Sequence, residues 1–152
     1  VVSIVQSGLP FNVISGRGLF DASRADFVPG FRGSAARSGD VRRRLDNYFN
    51  TAAFVVATGT GNFGNTGRNI LRGPAQANND ISIIKFFPIG ERQRVEFRTE
   101  FFNAFNQTNF ANPVSTGAPL VPGGPPLNPN FGRILSTSTG PRLIQFAFKY
   151  SF

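Results

Sequence analysis

Arg142-Leu143-Ile144-Gln145-Phe146-Ala147-Phe148-Lys149-Tyr150-Ser151-Phe152 alternates without a break. Ile144, Phe146, Phe148, Tyr150 and Phe152 share one parity, and Leu143, Gln145, Ala147, Lys149 and Ser151 the other. Successive side chains of a strand point to opposite faces, so the segment reads as a strand with one greasy face and one mostly polar face. Its span of roughly eleven residues matches the roughly 9 to 11 that a tilted strand needs to cross a bilayer. Strands of soluble sandwiches are usually shorter.

Moving outward, Val95 to Phe105 repeats the pattern. Val95, Phe97, Thr99, Phe101 and Phe105 lie on one face, Glu96, Arg98, Glu100 and Ala104 on the other, and Phe102 is the exception. The polar face of such a strand would meet bulk water in a sandwich and line the lumen in a barrel. Asp80 to Pro88 is an apolar run of mixed parity, since Ile83 and Ile84, then Phe86 and Phe87, fall on both faces. A bulge or a filled lumen would account for that. The reversal Pro88-Ile89-Gly90-Glu91 joins these two runs into a hairpin. Near the start, Val5, Leu9, Phe11 and Val13 alternate with Gln6, Gly8, Pro10 and Asn12, with Pro10 implying an edge or a bulge.

The connections between these runs are unequal. One is a short turn near 88–94, whereas 16–79 and 107–141 are long and rich in Gly, Pro, Asn and Ser. Compact soluble domains seldom carry loops beyond about 12 to 15 residues, while outer-membrane barrels combine short periplasmic turns with long outer loops. The expected fold is therefore all-β: an antiparallel meander of about four long strands near 1–15, 80–88, 95–106 and 142–152, with long loops over 16–79 and 107–141. On this reading residues 1–152 together are expected to form part of a transmembrane barrel in the bacterial outer membrane. About four strands cannot close a pore, because the smallest bacterial barrels have about eight. With Val at position 1 and no Met, the chain reads as a fragment. The competing architecture is a secreted soluble β-sandwich that binds glycans or surfaces through its long loops.

Composition agrees with strands. There are 18 Phe, 17 Gly and 11 Pro, and the apolar runs are too short for a membrane helix. The absence of Cys removes disulfides and thiolate sites, and the absence of His removes the commonest metal ligand and the general base that titrates nearest neutrality. No catalytic, cofactor or metal site is expected, and the chain is not read as an enzyme. The net charge of +8 would ordinarily suggest nucleic acid. The excess is concentrated, however: Arg17 to Arg44 holds seven Arg against Asp21, Asp26 and Asp40, or 7 − 3 = +4, in a Gly- and Ser-rich stretch. Arg42-Arg43-Arg44 lacks the interleaved aromatics of a single-strand binder and reads as a solvated loop, with phosphate or nucleic acid as weaker alternatives.

Three further motifs yield to plainer readings. Gly59-Thr60-Gly61-Asn62-Phe63-Gly64 satisfies G-x-G-x-x-G, but the following Asn65-Thr66-Gly67 and Arg72-Gly73-Pro74 cannot form the helix that a dinucleotide site requires. Glu96 and Glu100 share a face at a separation of roughly 13 Å along a strand. That exceeds the roughly 5 to 9.5 Å used by glycosidases, so with Arg98 between them they read as a self-compensating row. Asn106-Gln107-Thr108 matches a glycosylation triplet that is frequent by chance.

Several segments resemble the end of TonB-dependent receptors of the large Oar-like kind, which carry a carboxypeptidase-regulatory-like domain, a plug and a barrel. They are Gln6-Ser7-Gly8-Leu9-Pro10-Phe11, Tyr48-Phe49-Asn50-Thr51-Ala52-Ala53-Phe54, Gly64-Asn65-Thr66-Gly67-Arg68-Asn69 with Leu71-Arg72-Gly73-Pro74, Phe97 to Asn106, and Phe131-Gly132-Arg133-Ile134. The terminal Ile144, Phe146, Phe148, Tyr150 and Phe152 also resemble the C-terminal signature read by the barrel-assembly machinery. The resemblance implies nutrient import through a barrel of about 22 strands. It also implies contact with outer-membrane lipid, with the assembly machinery, and with the rest of the barrel and its plug. The TonB complex would be reached only through N-terminal parts outside this chain, and nucleic acid is not an expected partner. On this reading the aromatic faces meet lipid, and Glu96, Arg98, Glu100, Gln145 and Lys149 face the lumen.

Overall fold

The computed structural model of the protein describes residues 1–16, 23–58 and 63–152. The described residues form strands and short 3-10 turns and contain no α-helix. They fall into two compact units: Val1–Ser7, Ala75–Phe110 and Thr137–Phe152 make the first, and Gly8–Pro74 with Ala111–Ser136 make the second.

The first unit is an antiparallel sheet. In chain order its strands are Val2–Gln6 (β1), Gln76–Ile89 (β6), Gln93–Phe102 (β7) and Leu143–Ser151 (β8), and they lie side by side as β1-β6-β7-β8. This is the four-stranded meander expected from the alternation. The β6–β7 ladder runs from Ile81↔Phe101 to Ile89↔Gln93 without a skipped residue, and β7–β8 runs from Arg94↔Ser151 to Phe102↔Leu143. No bulge therefore explains the mixed parity of β6. Ile84 and Phe86 simply share the face of Arg98 and Glu96, their pairing partners.

The element bounds differ from those expected. β6 begins at Gln76, four residues before the predicted start, because Gln76 to Asp80 pair with β1. β7 stops at Phe102, since Asn103 takes a positive φ of 50° and turns the chain, so Phe105 is not on the strand. The first predicted strand is extended only over Val2–Gln6, and Pro10–Phe11 belongs to a separate two-residue pairing.

Asparagine and aspartate side chains close the end of the sheet away from Gly90. The Asp80 carboxylate accepts from the Asn103 amide N–H at 2.9 Å. The Asn103 side chain donates to the carbonyls of Gln107 and Gly140 and accepts from the Gln107 N–H. Asn109 is buried, and its amide both accepts from the Ala77 N–H and donates to the Ala77 carbonyl, each at 2.8 Å, as a neighbouring strand would. Asn106, the head of the glycosylation triplet, accepts from the Arg142 N–H.

The second unit occupies most of the stretches read from sequence as long loops. Long strands are absent from its described residues. The pairings are short: Pro10–Phe11 (β2) with Leu71–Arg72 (β5), and Asp26–Phe27 (β3) with Phe54–Val55 (β4). It nevertheless buries Phe11, Val13, Phe49, Phe54, Val56, Leu71 and Phe131. Phe49, 1% exposed, sits at the centre, with ring centroids 5.9 Å from Phe11, 5.7 Å from Phe54 and 5.2 Å from Phe131. The last two contacts are edge-to-face, the geometry aromatic quadrupoles prefer.

The resemblance motifs recur at the joints of this unit. Tyr48 N–H donates to the Gly132 carbonyl and Ile134 N–H to the Leu45 carbonyl, tying the two sequence segments together. Gly132 has φ +86°, and a Cβ there would run into the Thr51 methyl. Asn65 and Asp26–Phe27 bind reciprocally, the Phe27 N–H donating to Asn65 Oδ1 at 2.8 Å and the Asn65 N–H to Asp26 Oδ1 at 2.7 Å. Buried Thr66 donates its hydroxyl to the Ala25 carbonyl.

Candidate functional site

The chemistry of the sheet lies in its two faces, which the register assigns residue by residue. Directly opposed residues of an antiparallel ladder point the same way. One face carries the cross-strand rows Ile81–Phe101–Ile144, Ile83–Thr99–Phe146, Lys85–Phe97–Phe148 and Phe87–Val95–Tyr150. Four of the five residues of the terminal series thus stand beside Phe101, Thr99, Phe97 and Val95 of β7, and Phe152 follows them just outside the strand.

No layer covers this face among the described residues. Phe146 is 68% exposed and Phe148 71%, and Ile83, Phe87 and Tyr150 are also open. The Phe97 and Phe146 rings stack across strands at 6.1 Å. A soluble sheet would have to bury such a surface against a second layer, because contiguous apolar patches of this kind seldom face water. From Ile81 to Ile89 the face runs about 26 Å along the strand at about 3.3 Å per residue. At a tilt of about 40° that is roughly 20 Å, close to the apolar band of about 25 Å on outer-membrane barrels.

The opposite face brings together all five residues assigned from sequence to the polar side. Glu96 pairs with Lys149 and Glu100 with Gln145, while Arg98 stands between the two carboxylates. Arg98 Nη2 lies 2.9 Å from Glu96 Oε1 and Nη1 lies 3.8 Å from Glu100 Oε1. This is the compensating row that the spacing implied. Ile84, Phe86, Phe102 and Leu143 interrupt it, so the face is less polar than the β7 pattern suggests. Arg94 places its guanidinium 5.9 Å from the Phe86 ring centroid, which lets an aromatic share a charged surface.

A model of the outer membrane beta barrel domain matches residues 1–145. The chain belongs to the outer membrane beta barrel domain family. No match was found among curated proteins, and none among solved structures. This barrel segment is accordingly a part of the bacterial outer membrane, and its open four-stranded sheet is a stretch of barrel wall. The family and the uncovered aromatic face together decide against the soluble sandwich.

The remaining motifs of the barrel segment are structural where they are described. Residues 59–62 of the glycine-rich motif lie outside the described residues. Gly64, at its end, has φ +74°, and a Cβ would collide with the Arg24 carbonyl. Arg42 and Arg43 stand exposed on a 3-10 turn, Val41–Arg43, whose start is capped by Asp40. Arg44 turns inward: its Nη1 donates to the Arg37 and Tyr48 carbonyls, and its guanidinium lies 4.7 Å from the Tyr48 ring centroid. The Tyr48 hydroxyl donates to the Arg72 carbonyl at 3.1 Å. Burial pushes its pKa above the usual tyrosine value, against a smaller lowering by Arg44.

Sequence reading missed Lys85. It lies on the aromatic face, and reading β6 by strict parity, Ile81-Ile83-Lys85-Phe87-Ile89, would have found it.

Proposed function

We propose that this barrel segment is wall from a TonB-dependent transporter that imports a scarce nutrient, and that the segment has no activity on its own. The observation that carries the proposal is the uncovered aromatic face of a four-stranded meander whose charged residues, Lys85 apart, gather on the other side. Such a sheet suits a wall with lipid outside and a polar lumen inside. Glu96, Arg98, Glu100, Gln145 and Lys149 would then line the lumen. The residue motifs shared with Oar-like receptors favour the TonB-dependent class over other barrels. They supply the aromatic centre and the joints of the second unit, through Phe49, Phe131 and Gly132.

In this reading the Gly90 turn is periplasmic and the connections 16–79 and 107–141 are outer loops. The terminal Ile144, Phe146, Phe148, Tyr150 and Phe152 serve as the signal for the barrel-assembly machinery. Passage, not catalysis, is the proposed role. The direct test compares cells with and without the protein for growth on limiting ferric chelates, cobalamin and oligosaccharides, in strains with TonB intact or deleted. A growth advantage that disappears with TonB is expected. An advantage that persists without TonB would assign the barrel to passive diffusion.

A further inference from the structure

Lys85 is the one charged side chain on the aromatic face of the paired strands. Its row partners are Phe97 and Phe148. The carboxylates of these strands, Asp80, Glu96 and Glu100, all lie on the other face, so no strand carboxylate shares the side of Lys85. The chain has two lysines, and they are segregated: Lys149 stands on the charged face, paired with Glu96.

The position of the ammonium is informative. Lys85 Nζ lies 6.0 Å from the ring centroid of Phe87, the next residue on the same face toward the Gly90 turn. The ammonium thus has the Phe87 ring, its neighbour on the turn side, within cation–π range. The next row toward the turn is Phe87–Val95–Tyr150, and its Tyr150 packs on Phe152 at 6.0 Å. Aromatic girdles of this kind mark the membrane–water boundary. A lysine rooted in an apolar band extends its methylene stem through it and puts the charge in the headgroup region. No carboxylate of the paired strands shares its face, so the anion it would meet in the headgroup region is a lipid phosphate.

We propose that Lys85, held over Phe87, binds the phosphate of a glycerophospholipid in the periplasmic leaflet and so fixes the depth of this sheet in the membrane. The proposal rests on the reading that the aromatic face meets lipid, and extends it to a named headgroup contact. Phe87 shapes the site by holding the ammonium through its ring face. Tyr150, in the same cross-strand row, lies at the level of the phosphate.

The test is solid-state NMR of the whole protein, labelled with 15N-lysine and embedded in bilayers of phosphatidylethanolamine and phosphatidylglycerol, with dephasing of the amine signals by lipid 31P. Difference spectra against Lys85→Arg and Lys149→Arg identify the two amines. Loss of the Lys85 signal under phosphorus dephasing, with the Lys149 signal unchanged, is expected. If neither signal is dephased, the phosphate site is overturned while the face assignment stands. If Lys149 is dephased, alone or together with Lys85, the assignment of the faces fails and the phosphate site fails with it.

Discussion

Single residues carry the division between the faces, and substitutions at positions of opposite parity in one strand should separate them. Phe148 and Gln145 both lie in β8 but on opposite sides. An arginine on the lipid face near mid-membrane costs about 2 to 4 kcal/mol. Phe148→Arg is therefore expected to lower the folded, membrane-inserted fraction sharply, while Gln145→Arg stays near the parent. Equal yields of the two in an outer-membrane assembly assay would contradict the assignment. In the second unit, Phe49 is the residue whose loss matters most, because Phe11, Phe54 and Phe131 all pack on it. Phe49→Ala should cost about 3 to 5 kcal/mol, read as faster hydrogen exchange at amides such as Tyr48, Val56 and Ile134. Tyr48 adds a pH dependence. Its folded pKa is raised by burial, so its stabilising effect is complete below the unfolded value of about 10 and fades as pH rises through the higher folded value. Tyr48→Phe should lose that alkaline limb, as followed by unfolding midpoints between neutral and strongly alkaline pH.

At the level of elements, β7 and β8 were legible because their alternation is local and each face has a uniform demand. β6 was less so. Its polar face accepts Ile84 and Phe86, one of them beside the Arg94 guanidinium, so hydrophobicity alone does not reveal which side a residue takes. The register with β7 settles the matter. The second unit was not legible at all as a packed body. Its pairings are two residues long and its core residues, from Phe11 to Ile134, are brought together by contacts distant in sequence, leaving no period to read. The Oar-like motifs signalled that these stretches matter without saying that they pack. Lys85 was missed for a simpler reason, since an apolar run of mixed parity hides one charge. A test at this scale is the loop end of the sheet. Asn109 replaces a strand neighbour for Ala77 with two hydrogen bonds and is buried. Asn109→Ala should leave those backbone groups unpaired and destabilise the β6 start by about 1 to 3 kcal/mol. Amide exchange at Ala77 should rise while that at Phe97 stays slow; equal change at both would mean that Asn109 holds the whole sheet and not its end.

For the whole molecule, one sheet exposes aromatic rings on one side and a compensated row of charges on the other, and such a surface is stable only in a medium that differs between the two sides. Membership in the outer membrane beta barrel domain family supplies that medium. The edges tell the same story: β1 covers only Gln76 to Asp80 of β6, and the far side of β8 pairs with no described strand. Unpaired edges of this length favour association with further strands, the condition met inside a closed barrel. The chain contains no Cys, so single reporter cysteines can be placed without background from it. The decisive measurement introduces them one at a time at 145, 146, 147 and 148 in the membrane-embedded protein, attaches a fluorophore, and records quenching by nitroxides carried on lipid chains. Strong quenching at 146 and 148 with weak quenching at 145 and 147 is predicted; uniform quenching, or the reverse alternation, would show that hydrocarbon does not cover the aromatic side.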